Sequence, residues 1–114
     1  MRTAKAELAS NKATLQLFMA DNWWLRLRGL LGRPALTSQQ AMLIAPCHSV
    51  HTLGMRYSID VVYLNKDYQV LKVVENLHPG RFSACKGARY TIELSAGAVQ
   101  RYQIYPGETI KWSI

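Results

Sequence analysis

Hydrophobic and polar residues alternate along ATLQLFMA, the segment from residue 13 to residue 20. Leu15, Leu17 and Met19 fall on one side of an extended chain, whereas Thr14 and every second residue after it fall on the other. A period of two is typical of a β-strand that buries one face. The segment therefore predicts a strand.

The segment WWLRLRGLL, residues 23–31, has the period of a helix instead. Its apolar stripe comprises Trp23, Leu27, Leu30 and Leu31, spaced as the neighbours on one face of a helix are spaced. Asp21 or Asn22 can cap the first turn, and Gly32 with the Arg33-Pro34 step ends the pattern. We expect a short helix in the N-terminal half of the chain.

The remaining apolar runs predict short strands joined by tight links. The single strands are AMLIA (41–45), YTIEL (90–94) and TIKWSI (109–114), and residues 59–64 and 69–74 form a hairpin about a turn at 65–67. A short helix is predicted in SAGAVQRY, beginning at Ser95. Residues 47–55 and 78–88 are expected to be connections. Short links favour antiparallel neighbours, so the fold class expected is α+β, mainly β, with a curled antiparallel sheet or a partly closed small barrel.

The composition is that of one ordinary globular domain covering residues 1–114, in which 1–12 are expected to be loosely ordered or to form an edge segment. The chain is 49% hydrophobic and 18% charged. No apolar run approaches the roughly 20 residues of a membrane span, and the first residues lack the apolar stretch of a secretory signal. We therefore expect a cytoplasmic protein with no membrane partner, and we expect Cys47 and Cys85 to be free thiols, although one bridge between them remains possible.

Fourteen Lys and Arg residues against seven Asp and Glu residues give a net charge of +7. Such a charge attracts anionic partners, which include nucleic acids, acidic proteins and acidic lipids. The basic residues are dispersed between Arg2 and Lys111 and form no block, so a generally basic surface is the preferred interpretation. Nucleic-acid binding remains possible without being favoured, and the oligomeric state stays open.

Several short motifs occur in a fixed order along most of the chain. They are Arg26-x-x-Gly29-Leu30-x-x-Arg33, His51-Thr52-x-Gly54-Met55 followed by Ile59-Asp60-Val61-Val62, then Pro79, Glu93-Leu94 with Ala96-Gly97, and Gly107. The ordered set resembles domain-of-unknown-function family 192, small bacterial and archaeal proteins. The resemblance runs from about Leu15 to Trp112 and implies a shared fold and a shared site, but no reaction.

The stretch CHSVHTLGM, residues 47–55, is rich in groups that bind metals or act as nucleophiles. Cys47, His48 and His51, with His78 and Cys85, have the chemistry of zinc ligands, but their spacings are not those of zinc sites. A nucleophilic Cys47–His51 pair is the second alternative, although a free cysteine is more often a small buried apolar residue. We expect no metal site and no cofactor.

Asp60 is the anomaly of the apolar run IDVVYL. A carboxylate on a strand that enters the core must be paired or hydrogen-bonded. Its candidate partners are the His51 ring, Arg26, Arg56 or the amides of the nearby turn. Either an Arg26–Asp60 ion pair that joins the helix to the strand or a catalytic His51–Asp60 pair would give the carboxylate a partner.

The hypothesis that follows is a small binding or accessory domain for a small polar or anionic ligand. Its predicted site residues are His51, Thr52, Gly54, Met55, Asp60, Arg26 and Arg33. The alternatives are a hydrolase or transferase with His51 and Asp60 as its acid–base pair, and a nucleic-acid-binding domain.

Overall fold

The computed structural model describes residues 2–20, 30 and 32–113. It is a mainly-β α+β fold with a curled sheet, as expected. Its elements are β1 (Arg2–Leu8), β2 (Thr14–Ala20), β3 (Gln40–Ile44), β4 (Ser49–His51), β5 (Ile59–Leu64), β6 (Val70–Leu77), β7 (Phe82–Ala84), β8 (Tyr90–Ser95), the short helix α1 (Ala98–Arg101) and β9 (Ile110–Ser113).

The main sheet of the described residues has the strand order β6-β5-β8-β3-β2-β1-β9. Its two edge strands approach each other where they begin: Gln69 pairs with Thr109 in an isolated bridge. The Val70 amide donates to the Glu108 carbonyl at 2.8 Å, and the Ile110 amide donates to the Tyr68 carbonyl at 3.0 Å. The sheet is thus curled far enough for its edges to meet at one end.

Two features of the main sheet differ from the sequence-based expectations. Strand β1 is not a loose or edge segment, because it pairs with β2 on one side and with β9 on the other. Its buried residues, Ala6 and Leu8, alternate with exposed Lys5 and Glu7, a pattern that small alanine side chains make easy to overlook. Strands β2 and β3 are parallel, which the long connection between residues 20 and 40 permits.

The main sheet buries both of its faces. Leu17, Leu43, Val62 and Leu94 belong to one group of buried residues, the first core cluster. Met42, Ile44, Val61 and Tyr63 belong to another, the second core cluster. Because β5 lies between β6 and β8 and is covered on both faces, all six of its residues are buried, which explains the near-continuous apolar run IDVVYL.

The predicted hairpin is confirmed as β5 and β6, with Leu64 opposite Val70. Strand β6 extends to Leu77 rather than ending near residue 74, and the register shifts between Ile59 and Val61. Extra residues on β6 therefore face Asp60, as expected for a β-bulge.

The predicted connections at 47–55 and 78–88 contain a second, two-stranded sheet. Strands β4 and β7 pair antiparallel, with Val50 opposite Ser83 and His51 opposite Phe82. Strands of three residues are too short for alternation to identify them in the sequence. The helix predicted over 23–31 falls, apart from Leu30, on residues outside the described ranges.

Candidate functional site

Thr52 holds together the two turns next to the small sheet. Its side chain is fully buried, and its hydroxyl donates to the His78 carbonyl at 2.6 Å and accepts from the Arg81 amide at 2.8 Å. Its own backbone amide donates to the Arg81 carbonyl, and its carbonyl accepts from the amides of Gly80 and Met55. Thr52 therefore satisfies polar backbone groups of the two turns.

The other residues of the HTLGM turn have different environments. His51 is exposed, on the outer side of the small sheet, while Met55 is half-buried against the second core cluster. Gly54 is exposed and has a φ of 82°, a left-handed conformation that a side chain would make costly. Gly54 and part of Met55 are thus accessible at the surface of the turn, and buried Thr52 fixes the conformation of that turn through its hydrogen bonds.

Asp60 is hydrogen-bonded by backbone amides, as one of the expected alternatives had it, but these amides are not those of the HTLGM turn. Its carboxylate accepts hydrogen bonds from the backbone amides of Asn76 at 2.8 Å, Gly97 at 3.1 Å and Val99 at 2.9 Å. The side chain is completely buried. It thereby joins the bulge of β6 and the start of α1 to β5.

The acid–base pair of His51 and Asp60 does not form. No hydrogen bond joins these two described residues, because the Asp60 carboxylate is committed to three backbone amides in the interior and His51 lies on the surface. The predicted Arg26–Asp60 contact involves Arg26, which lies outside the described residues.

A cleft of about 620 Å³ opens beside the turn. We call it the Arg33 cleft; residues that line it include Leu30, Arg33, Gly54, Met55, Arg56 and Tyr57. Two guanidinium-bearing residues thus share a concave surface with the exposed end of the HTLGM turn. Among the predicted site residues, Arg33, Gly54 and Met55 line this cleft, whereas Thr52 and Asp60 are buried and hold backbone in place.

Tyr57 connects the two sides of the Arg33 cleft. Its hydroxyl donates to the carbonyl of Arg33 at 3.1 Å and lies 3.4 Å from that of Pro34. Burial raises the pKa of Tyr57 above its usual 10, the negative charge of Glu93 raises it further, and the positive charge of Arg33 lowers it. Tyr57 therefore fixes the segment that carries Arg33, and its pKa responds to the charges of both Glu93 and Arg33.

Glu93 is the residue that the sequence reasoning missed. It is 3% exposed on β8, its Oε1 has no hydrogen-bond partner, and burial raises its pKa to about 7. It stands opposite Met42 on β3 and Val61 on β5, both members of the second core cluster. A glutamate inside the apolar run YTIEL was a signal equivalent to that of Asp60 in IDVVYL.

Cys47 and Cys85 are free thiols, as expected, and both are half-buried against the second core cluster. The Cys47 thiol donates to the Ser49 carbonyl at 3.0 Å. In the part of the chain that the structure describes, no three His, Cys, Asp or Glu residues converge as a metal site would require. The thiols therefore belong to the packing under the small sheet.

Comparison with known proteins places these features in a family. The profile of domain-of-unknown-function family 192, described as "Uncharacterized ACR", matches residues 5–112. A UPF0127 protein of Thermococcus sibiricus is 30% identical in an alignment 102 residues long, which covers 84% of this chain and 65% of that protein's length. A UPF0127 protein of Pyrococcus furiosus is 30% identical over 105 residues, covering 87% of this chain and 88% of the relative.

Two crystal structures have similar folds. One is a protein from Sinorhizobium meliloti 1021 that carries the provisional name of a transcription regulator; its TM-score is 0.87 at 20% identity, over 97% of this chain and 94% of that one. The other, of unknown function, is from Novosphingobium aromaticivorans and has a TM-score of 0.84 at 18% identity, over 96% of this chain and 84% of that one. At such identities the likeness establishes the fold alone.

Proposed function

For this chain, which belongs to domain-of-unknown-function family 192, we propose the function of a binding domain that accepts a small anionic ligand in the Arg33 cleft. The observation that carries the proposal is the presence of Arg33 and Arg56 on the walls of one cleft of about 620 Å³. Clefts of roughly 300–1,000 Å³ are typical of small-molecule sites.

The chemistry of the lining favours an anion that also has an apolar part. A guanidinium presents several N–H groups in a plane and matches a carboxylate or phosphate with two parallel hydrogen bonds. Leu30 and Met55 supply apolar surface beside the two arginines, and the lining residues that the structure describes include no Asp or Glu. Such a lining attracts the negative group of a ligand and offers apolar surface to the rest of it.

The surroundings of the Arg33 cleft are preorganised. Thr52 fixes the turn that carries Gly54 and Met55, and the Tyr57 hydroxyl fixes the segment that carries Arg33. Because these hydrogen bonds exist before a ligand arrives, less ordering remains to be done on binding. Thr52 and Asp60 thus support the site without contacting the ligand in this proposal.

The experiment is a thermal-shift screen of small anions, namely phosphate, sulfate, succinate, citrate and nucleoside monophosphates, followed by calorimetric titration of any compound that stabilises the chain. A binder should raise the Tm of the parent with dose. Arg56→Gln should weaken binding at least tenfold, because an exposed arginine that contacts the anion is lost without damage to the core.

The matched control is Arg89→Gln. Arg89 is also exposed, and its backbone amide bonds to the Leu64 carbonyl, at the end of β5 away from Ile59 and the turn. The variant Arg89→Gln should bind the anion as tightly as the parent. The proposal fails if none of these anions stabilises the chain, or if Arg56→Gln binds as tightly as Arg89→Gln.

A further inference from the structure

The outer side of the small sheet exposes apolar side chains. Phe82 is 71% exposed and Leu53 is 59% exposed, the two highest values among the large hydrophobic residues that the structure describes. Exposed apolar groups of this size near one another mark an interaction surface more often than single scattered ones do.

The register of β4 and β7 places Phe82 beside the segment that carries Leu53. Phe82 stands opposite His51, and both are exposed, whereas the next pair inward, Val50 and Ser83, is buried. Leu53 follows His51 by two residues, on the far side of buried Thr52. We call the surface formed by His51, Leu53 and Phe82 the Phe82 face.

The charged residues in the two segments that carry the Phe82 face all have one sign. The segments 47–58 and 78–89 contain Arg56, Arg81, Lys86 and Arg89 and no Asp or Glu. All four side chains are exposed, and within the described ranges none of them forms an ion pair. These two segments therefore attract a negatively charged surface.

Thr52 pairs part of the backbone of the two turns beside this face. The amide, carbonyl and hydroxyl of Thr52 bond to groups of Met55, His78, Gly80 and Arg81. Polar backbone groups that already have partners cost little to transfer into the less polar boundary of a bilayer, whereas unpaired ones cost several kcal/mol each.

We propose that the Phe82 face is a docking surface for an anionic phospholipid bilayer, into whose boundary Leu53 and Phe82 insert while Arg81 and Lys86 contact the headgroups. Apolar side chains at the tip with basic residues around them are the arrangement of interfacial anchors. An aliphatic Leu53 has no ring to stack on a nucleobase, so the bilayer suits the pair better than a nucleic acid does.

This docking concerns the surface of a membrane and not its crossing. No helix of the described residues is long and apolar enough to span a bilayer. The sequence-based expectation of no membrane partner depended on the lack of such a segment, and it could not take account of Phe82, which the pairing of β4 with β7 brings beside the turn that carries Leu53.

The test is co-sedimentation of the chain with vesicles of phosphatidylcholine alone and with vesicles that contain one quarter phosphatidylglycerol. The parent should bind the anionic vesicles, and binding should weaken as salt is raised. The double variant Leu53→Ser/Phe82→Ser should lose at least tenfold in partitioning. Arg81→Gln and Lys86→Gln should each lose about fivefold, since a basic residue at such a surface contributes about 1 kcal/mol.

Two controls make the outcome decisive. Tyr105→Ser removes another exposed aromatic residue, which lies outside the Phe82 face, and should bind vesicles like the parent. Anion binding in the Arg33 cleft should persist in Leu53→Ser/Phe82→Ser, so the two proposals can fail separately. Absence of parent binding to anionic vesicles, or equal binding by the double variant, overturns the proposal; so does binding of an RNA oligonucleotide in place of vesicles.

Discussion

Asp60 and Glu93 are buried carboxylates on neighbouring strands with opposite surroundings. Asp60 faces the first core cluster beside Val62 and accepts three backbone hydrogen bonds. Glu93 faces the second core cluster beside Val61, and its Oε1 has no partner. The comparison teaches that burial alone does not decide what a carboxylate does: Asp60 has three backbone hydrogen-bond donors around it, whereas burial raises the pKa of Glu93 and so favours its protonated form.

The largest effect should come from removing the Asp60 charge. Asp60→Asn retains one acceptor oxygen and turns an N–H group toward backbone amides that need acceptors. We expect the free energy of unfolding at pH 7 to fall by about 2–4 kcal/mol, measured by urea denaturation.

Asp67→Asn is the matched control for Asp60, since Asp67 is exposed in the turn between β5 and β6. It should change stability by no more than about 0.5 kcal/mol. If Asp60→Asn were as mild as this control, the three amides would not depend on the carboxylate.

The second prediction concerns Glu93, where replacing the carboxylate by an amide should raise the free energy of unfolding instead of lowering it. Its folded pKa of about 7 lies above the ordinary 4.5. Between these values the folded chain retains a proton that the unfolded chain has released, so the stabilisation present below pH 4.5 is lost as pH rises toward 7. Glu93→Gln stays neutral throughout, and its advantage over the parent should grow from near zero at pH 4.5 to about 3 kcal/mol at pH 8.

Urea denaturation of the parent and of Glu93→Gln at several pH values measures this difference, from which the other titrating groups cancel. Glu75→Gln, on the exposed part of β6, should follow the pH profile of the parent. Parallel curves for the parent and Glu93→Gln would show that Glu93 finds a partner when it ionises.

The smallest effect should be on Tyr57. Because the negative charge of Glu93 contributes to the raised pKa of Tyr57, after burial, Glu93→Gln should lower that pKa by less than about one unit. Titration of the ¹³Cζ resonance of labelled tyrosine measures it. Asp67→Asn removes a charge elsewhere and should leave the Tyr57 titration where it is in the parent; an equal shift in both variants would separate Tyr57 from Glu93.

The sequence predicted the strands that have a recognisable run of apolar or alternating residues. Strand β2, the β5–β6 hairpin and the shorter strands β3, β8 and β9 are confirmed. The three-residue strands β4 and β7 and the pairing of β1 with β9 depend on contacts between distant segments, which no local pattern records.

The candidate site was predicted less completely, for the same reason. The anomaly of Asp60 was recognised, but its true partners, Asn76, Gly97 and Val99, lie 16 to 39 residues away along the chain. Thr52 was predicted as a site residue, but the partners of its hydroxyl, His78 and Arg81, lie 26 and 29 residues away and could not be identified from the sequence. Glu93 was missed, although a charge in the middle of an apolar strand is visible without any structure.

The contact between the ends of β6 and β9 bears on how the chain avoids joining other copies of itself. An open sheet presents two edges with unpaired N–H and C=O groups, each a template for a strand of another chain. Here the Gln69–Thr109 bridge uses some of those groups, and exposed Lys72 and Glu75 place charges along the rest of β6. The curl of the sheet therefore protects the chain against aggregation as well as shaping its core.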